Sequence, residues 1–290
     1  MTELVHPSQA RLADRLPPQA FFMVSALFHY LGPSFAILLF SQVGVLGVAW
    51  LRIASAAAVF ALWRRPWRIL IEGDPRGRTL IVALGVTLAL MNSAFYLAID
   101  RMPLATVAAI EFVATIVVAL VGVRSLRNVV ALIVAVAGVF LLIGFQWSGD
   151  RLGVLLAIAN SALFGGYIVI GHAISRAGGA SGIDRLGAAM LVALIAAMPI
   201  GVAEVVPALS KPSLILAGIG VGVSSSVIPY VCDQLAMARL PRATFALMLT
   251  LLPATAAIVG ATVLAQLPTP AEIAGILLVA TGVGLHKPAQ

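Results

Sequence analysis

The chain is a succession of apolar runs, each about twenty residues long, separated by short polar or basic connections. Charged residues make up only 10% of the sequence, against about 25% in soluble domains, so too few polar side chains exist to cover a surface in water. Lipid admits only helices and closed barrels across its apolar core. Because the runs lack the alternation of barrel strands, the sequence predicts an all-α integral membrane protein.

Each of ten runs is a candidate transmembrane helix. They cover residues 20–40, 43–63, 79–99, 103–122, 128–145, 152–172, 183–206, 213–235, 241–264 and 270–286. The connections are rich in Pro, Gly and Arg, and none is long enough to separate two domains. Residues 1–19 form a polar N-terminal segment. Because the run that follows is long enough to span and ends without a small-residue cleavage pattern, we expect a retained helix rather than a signal peptide.

The basic residues are distributed unevenly along this pattern. With the N-terminus inside, fourteen of the 18 Lys and Arg residues fall on inner segments, three fall on outer loops and one, Arg52, lies inside a span. Cytoplasmic loops carry such an excess of positive charge. We therefore expect ten spans with both termini cytoplasmic.

The two halves of the chain resemble each other. Matching segments are residues 25–28 with 161–164, 98–106 with 236–244, and 138–139 with 282–283. They occur in the same order, at separations of 136, 138 and 144 residues. Five spans per half is an odd number, so the second half enters the membrane from the opposite side. We predict two inverted five-helix repeats, residues 20–146 and 147–290, with a substrate site between them near the midplane.

Two charged residues fall near mid-membrane. Glu111 lies about eight residues into the fourth span and Arg52 about nine into the second, so both sit roughly 12–14 Å below the outer boundary. Intramembrane charges are rare and usually face the bundle interior. The shared depth permits a pair. Two interpretations stay open: Glu111 lines the substrate or proton route, or the charges only position helices.

Further polar residues inside the spans are candidates for the same pathway. They are His29, Tyr30, Asn92, Tyr96, Asn160, Tyr167, Tyr230, Asp233, Thr250 and Pro253. Because free histidine titrates near neutral pH, His29 could relay a proton, and Pro253 frees a backbone carbonyl and can kink its helix. For Tyr30, Tyr96, Tyr167 and the two asparagines, interfacial or interhelical roles are the alternative. For Asp233 with Tyr230, helix capping or a gate contact is as reasonable as substrate binding.

Other functional classes find little support. The sequence has no HExxH pair, no GxSxG, no Walker loop and no acidic cluster with metal-ligand spacing. A single cysteine, Cys232, excludes an intramolecular disulfide or a cysteine-based zinc site. The net charge of +7 is scattered between apolar runs rather than gathered into a nucleic-acid-binding patch. We therefore expect no enzyme, no cofactor, no metal and no nucleic acid.

Several segments resemble a known family. They are residues 102–104 through 110–112, residues 228–230 through 233 to 239–241, residues 244–245 through 253–254, and the pair at 51–52. On these residues the chain resembles the EamA family of the drug/metabolite transporter superfamily, and within it the threonine/homoserine exporter subgroup of inner-membrane proteins. The chain departs from that subgroup at Thr115, where a proline is usual, and at Leu252, where an acid is usual.

The resemblance implies a secondary transporter of the cytoplasmic membrane that exports amino acids or related small amphipathic metabolites, with proton-coupled alternating access. An amino-acid zwitterion needs both charges nearby, and Arg52 with Glu111 would supply them. The alternative is efflux of cationic drugs, which favours an aromatic, acidic cavity. We expect a small-molecule substrate and membrane lipid as partners, and leave monomer or homodimer open.

Overall fold

A computed structural model of the chain describes residues 16–120, 125–146, 150–176, 179–241, 245, 248–249 and 252–285. All regular structure in these residues is helical. The main helices are α1 (Pro18–Ile37), α2 (Val45–Arg64), α3 (Pro75–Ile99), α4 (Leu104–Leu120), α5 (Leu126–Gln146), α6 (Arg151–Ser175), α7 (Gly179–Val205), α8 (Pro212–Met237), α9 (Leu252–Val263) and α10 (Pro270–Leu285). The predicted all-α class is confirmed.

Six of these helices are long and apolar enough to cross a membrane, namely α1, α2, α3, α6, α7 and α8. Shorter apolar stretches lie in α4, α5 and α10. Helical pieces at Phe40–Val43, Trp67–Glu72 and Val206–Ser210 occupy connections. Seven of the 24 residues of the predicted ninth span, 241–264, lie outside the described residues.

Helix ends follow local sequence signals. Asp74 and Asp150 precede α3 and α6, and each carboxylate accepts a hydrogen bond at 2.9 Å from the backbone N–H three residues on. Before α10, the Thr269 amide donates to Glu272 at 2.8 Å and the Glu272 amide donates back to the Thr269 hydroxyl at 3.2 Å. Such caps satisfy amides that have no partner within the helix. Asp150 and Glu272 therefore act as caps at helix starts.

Helices of the N-terminal half pack against helices of the C-terminal half. In particular, α2 packs on α7, α5 on α10, α3 on α6, and α1 on α8. Helix α8 approaches α2 closely because Gly218 lies against Leu51 and Gly222 against Arg52 and Ser55. A Cβ atom at Gly222 would lie 2.7 Å from the Arg52 carbonyl oxygen. This GxxxG pair therefore sets the distance between α8 and the helix that carries Arg52.

Candidate functional site

The centre of the bundle holds Arg52, whose side chain points from α2 to α8. Its Nε donates to the Ser226 hydroxyl at 2.8 Å, and its Nη2 donates to the Ser225 carbonyl oxygen at 2.7 Å and to the Tyr230 hydroxyl at 3.3 Å. The guanidinium also lies over the Tyr96 ring, 5.3 Å from its centroid. Arg52 is 3% exposed, so these contacts replace the water that its charge would otherwise require.

The acceptor at Ser225 exists because α8 is irregular. A regular α-helix would bond the carbonyl of residue 225 to the amide of residue 229, but Pro229 has no N–H. Residues Val223–Val227 form a π-helical turn just before this proline. Broken helices in membranes need a substitute partner for each freed backbone group. Arg52 supplies one to Ser225.

Glu111 lies on α4 and is bonded by both halves of the chain. Its Oε2 accepts a hydrogen bond from the Tyr30 hydroxyl on α1 at 3.2 Å, and its Oε1 accepts one from the Asn160 amide on α6 at 3.1 Å. The Ser161 hydroxyl donates to the backbone oxygen of Glu111 at 3.0 Å. The carboxylate is 3% exposed and is held by neutral groups.

Arg52 and Glu111 face one cavity without forming an ion pair with each other. Both line it, together with His29, Asn92, Asn160, Tyr230, Met91 and Phe95. The ion pairs of Arg64 with Asp184 and of Arg101 with Asp150 both lie away from this site. The cavity measures about 10 Å³, roughly the room of one water molecule. The sequence left a pair between the two charges open; they line one cavity, but each is bonded to neutral groups instead.

A second buried carboxylate, Asp233, lies on α8. It accepts hydrogen bonds from the Ser25 hydroxyl on α1 at 2.5 Å and from the Tyr167 hydroxyl on α6 at 2.8 Å. Asp233 is 2% exposed and is not a helix cap. Of the alternatives that the sequence left open for it, capping is therefore wrong, because the carboxylate bridges α1 and α6 inside the bundle.

The same two helices hold both carboxylates. Ser25 and Tyr30 lie five residues apart on α1, and Asn160 and Tyr167 lie seven apart on α6. At 1.5 Å per residue these spacings correspond to about 8 Å and 10 Å along the helices. Asp233 and Glu111 therefore occupy different depths along one seam between α1 and α6.

The other predicted residues group as follows. Asn92 donates to the Leu88 carbonyl oxygen at 2.6 Å and accepts a hydrogen bond from the Tyr230 hydroxyl at 3.4 Å. His29 is 7% exposed and packs edge-on against Phe164 at 5.8 Å between ring centroids. Tyr30, Tyr96, Tyr167 and Tyr230 are fully buried, so the interfacial alternative that the sequence left open for the first three is wrong. Thr250 lies outside the described residues, and Pro253 is described only as part of α9.

Three serines of the site escaped the sequence analysis: Ser25, Ser225 and Ser226. Serine is common inside membrane helices, so its presence alone carries little information. The one available signal was Pro229, which predicts a free carbonyl four residues earlier, at Ser225. As for metals, the described part of the chain brings no three His, Cys, Asp or Glu side chains close enough to bind one.

The comparisons with known proteins agree with this architecture. Residues 151–286 match the EamA-like transporter family. The threonine/homoserine exporter RhtA of Escherichia coli strain K12 is 34% identical over 245 residues, covering 83% of this chain and 81% of the relative. The chain belongs to the EamA-like transporter family. The resemblance seen in the sequence is confirmed, and the protein is a multi-pass membrane transporter rather than an enzyme.

Two further comparisons extend this result. RhtA of Salmonella typhimurium strain LT2 is 33% identical over 245 residues, covering 83% of this chain and 81% of the relative. A solved crystal structure of another protein shares 18% identity and superimposes with a TM-score of 0.57, covering 92% of this chain and 96% of its own. That second likeness concerns the fold alone.

Proposed function

We propose that this EamA-like transporter exports amino acids or related small amphipathic metabolites across the cytoplasmic membrane. One observation carries the proposal: Arg52 and Glu111 line the same cavity and are not bonded to each other. A zwitterion would place its carboxylate toward the arginine and its ammonium toward the glutamate. The relatives named as threonine/homoserine exporters support the same substrate class.

The polar groups around the two charges suit such a ligand. The amide oxygen of Asn160 is buried, lines the cavity and has no hydrogen-bond partner in the described part of the chain. A substrate ammonium group would give it one, beside the Glu111 carboxylate. At about 10 Å³ the cavity is too small for any amino acid, so helices must separate before substrate enters.

Alternating access between two inverted repeats provides that separation. We assign α1–α5 to the first repeat and α6–α10 to the second, which gives ten spans. The packing supports this, because α3 packs on α6 as α8 packs on α1, and α4 packs on α6 as α9 packs on α1. The excess of basic residues on inner segments supports cytoplasmic termini.

Proton coupling completes the proposal. Glu111 and Asp233 are buried carboxylates at two depths of one seam, and both are bonded by side chains of α1 and α6. Movement of α1 against α6 would break these hydrogen bonds and expose each carboxylate to a new environment. A proton taken up at one conformation and released at the other would drive export.

The test is release of labelled amino acids from liposomes, with and without a proton gradient. Wild type is compared with Glu111→Gln, and a cationic dye is the contrasting substrate. Glu204→Gln is the matched control, because Glu204 lies outside the site and its carboxylate accepts from the Gly47 amide, which a glutamine oxygen also does. We expect gradient-stimulated release in wild type and control, and loss of it in Glu111→Gln.

The other outcomes are equally informative. Release of the dye alone would replace amino-acid export by efflux of cationic compounds. Release that ignores the gradient would remove proton coupling and leave the substrate class intact. If neither compound moves while circular dichroism shows folded protein, the proposal fails.

A further inference from the structure

A basic pocket opens where three helices meet at one end of the bundle. It lies between the first turn of α3, the last turn of α6 and the first part of α7, and measures about 460 Å³. Its charged lining residues are Asp74, Arg76, Arg176 and Arg185. None of these residues belongs to the central site.

The described residues do not neutralise the positive charge of this pocket. In the described part of the chain, Arg76, Arg176 and Arg185 have no carboxylate within ion-pair distance, whereas neighbouring Asp184 is paired with Arg64. Asp74 is the one acid in the lining, and its carboxylate is bound to the Gly77 amide at 2.9 Å. Three arginines and one aspartate leave a net charge of +2. The pocket is therefore suited to an anion with several acceptor oxygens.

An apolar groove begins beside the basic pocket. It runs between α4, α5 and α6, measures about 710 Å³, and extends from Ile158 to Ile170 along α6. Val169 lines both the groove and the basic pocket, and its side chain is 42% exposed. From Ile158 to Arg176 the helix rises about 27 Å, which covers one leaflet of hydrocarbon and its headgroup layer.

We propose that the basic pocket and this groove together bind one anionic phospholipid. The phosphate lies among Arg76, Arg176 and Arg185, and one acyl chain follows the groove along α6. Continuity at Val169 distinguishes a lipid from a soluble phosphate, because only a lipid carries charge and chain on the same molecule. Basic pockets between helices on the cytoplasmic side bind anionic headgroups in this way. The inference stands apart from the proposed export function and does not require any particular substrate.

The experiment compares ligands on the purified, delipidated protein in detergent. Phosphatidylglycerol, phosphatidylcholine and inorganic phosphate are added separately, and thermal unfolding and bound lipid by native mass spectrometry are recorded. A ligand that binds only the folded state raises its unfolding temperature. We expect stabilisation and retention with phosphatidylglycerol, and much less with the other two.

Variants locate the site. Each arginine near a membrane surface contributes about a fivefold factor in affinity for an anionic lipid. The double variant Arg176→Gln/Arg185→Gln is therefore expected to weaken phosphatidylglycerol binding roughly thirtyfold. Val169→Trp blocks the junction and weakens it without any change of charge. Arg151→Gln, at the opposite end of α6, is the matched control and leaves binding unchanged.

Three results would overturn the inference. Equal retention of phosphatidylcholine would show that the headgroup charge is not read. Equal stabilisation by inorganic phosphate would show a soluble-anion site. Unchanged binding in the double arginine variant would show that the lipid lies elsewhere. If that variant does not fold, the wild-type protein still tests the proposal. Equal binding of phosphatidylglycerol and phosphatidylcholine by the wild type would contradict it.

Discussion

The guanidinium of Arg52 lies 2.7 Å from the carbonyl oxygen of Ser225, in the contact between a helix of the N-terminal half and one of the C-terminal half. Pro229, four residues later, has no amide to donate to that oxygen. The buried charge of Arg52 therefore contributes a hydrogen bond where α8 is irregular. The same guanidinium lines the central cavity, so Arg52 is both a structural residue and a candidate substrate contact.

Arg52→Leu is expected to lower the stability of the folded protein. The change removes three hydrogen bonds to α8, and interhelical hydrogen bonds in membranes contribute about 0.6–2 kcal/mol each, so the loss is roughly 2–6 kcal/mol. Arg52→Lys should lose less stability, because a lysine keeps the charge. Some loss remains, because lysine lacks the planar fork of the guanidinium. Thermal unfolding in detergent, followed by circular dichroism, measures both.

Arg151→Leu serves as the control for this comparison. Arg151 is exposed at the first residue of α6, so its removal should change the unfolding temperature little. If Arg52→Leu is as stable as the wild type, the structural role of Arg52 is contradicted. A contact with substrate would then be its remaining role.

Gly222→Ala is expected to destabilise the contact between α2 and α8. A Cβ atom there would lie 1.7 Å from the Ser55 hydroxyl oxygen and 2.7 Å from the Arg52 carbonyl oxygen, and the backbone cannot yield as a side chain does. Overpacking of this kind costs about 1–3 kcal/mol. Gly220→Ala is the control two residues away, since no atom lies within 4 Å of its Cβ position. Equal unfolding temperatures for the two variants would contradict the prediction.

Sequence reasoning found the charges of the site but not their partners. Arg52 and Glu111 were identifiable because a charge in the middle of an apolar run is costly and rare, and usually marks a functional or paired residue. Their shared depth permitted a pair, and the structure has them line one cavity without bonding to each other. The bonds from Tyr30 and Asn160 to Glu111 were not predictable, because they depend on how α1 and α6 rotate about their axes. Hydropathy gives the length of a helix but does not determine that rotation.

The fold shows the same division. Apolar runs located the helices well, since the bilayer imposes their length. The π-helical turn at Val223–Val227 interrupts a run that reads as uninterrupted, and only Pro229 hinted at it. Long-range contacts such as Ser25 with Asp233, 208 residues apart, required the folded chain.

Asp233→Asn and Glu111→Gln are expected to fail in different ways. Glu111 lines the cavity, so its loss should reduce both gradient-driven release and substrate exchange about tenfold or more. Asp233 is absent from the cavity lining, so Asp233→Asn should lose gradient-driven release and keep exchange between loaded vesicles. Asp150→Asn, which alters a helix cap and an ion pair with Arg101 away from the site, should keep both activities. Loss of exchange in Asp233→Asn, with the fold intact, would contradict its assignment as a proton carrier.

Gln234→Met is expected to raise the stability of the protein. The Gln234 side chain is fully buried, and neither its amide nitrogen nor its amide oxygen has a hydrogen-bond partner in the described part of the chain. An unsatisfied buried polar group costs about 1–3 kcal/mol, which methionine of similar length avoids. Thermal unfolding should therefore shift upward, whereas Gln42→Met at an exposed position should show no shift. If transport also slows in Gln234→Met, the Gln234 amide gains a hydrogen-bond partner in another conformation of the transport cycle. A lower unfolding temperature would contradict the prediction, because it would show that the amide stabilises the conformation of this structure.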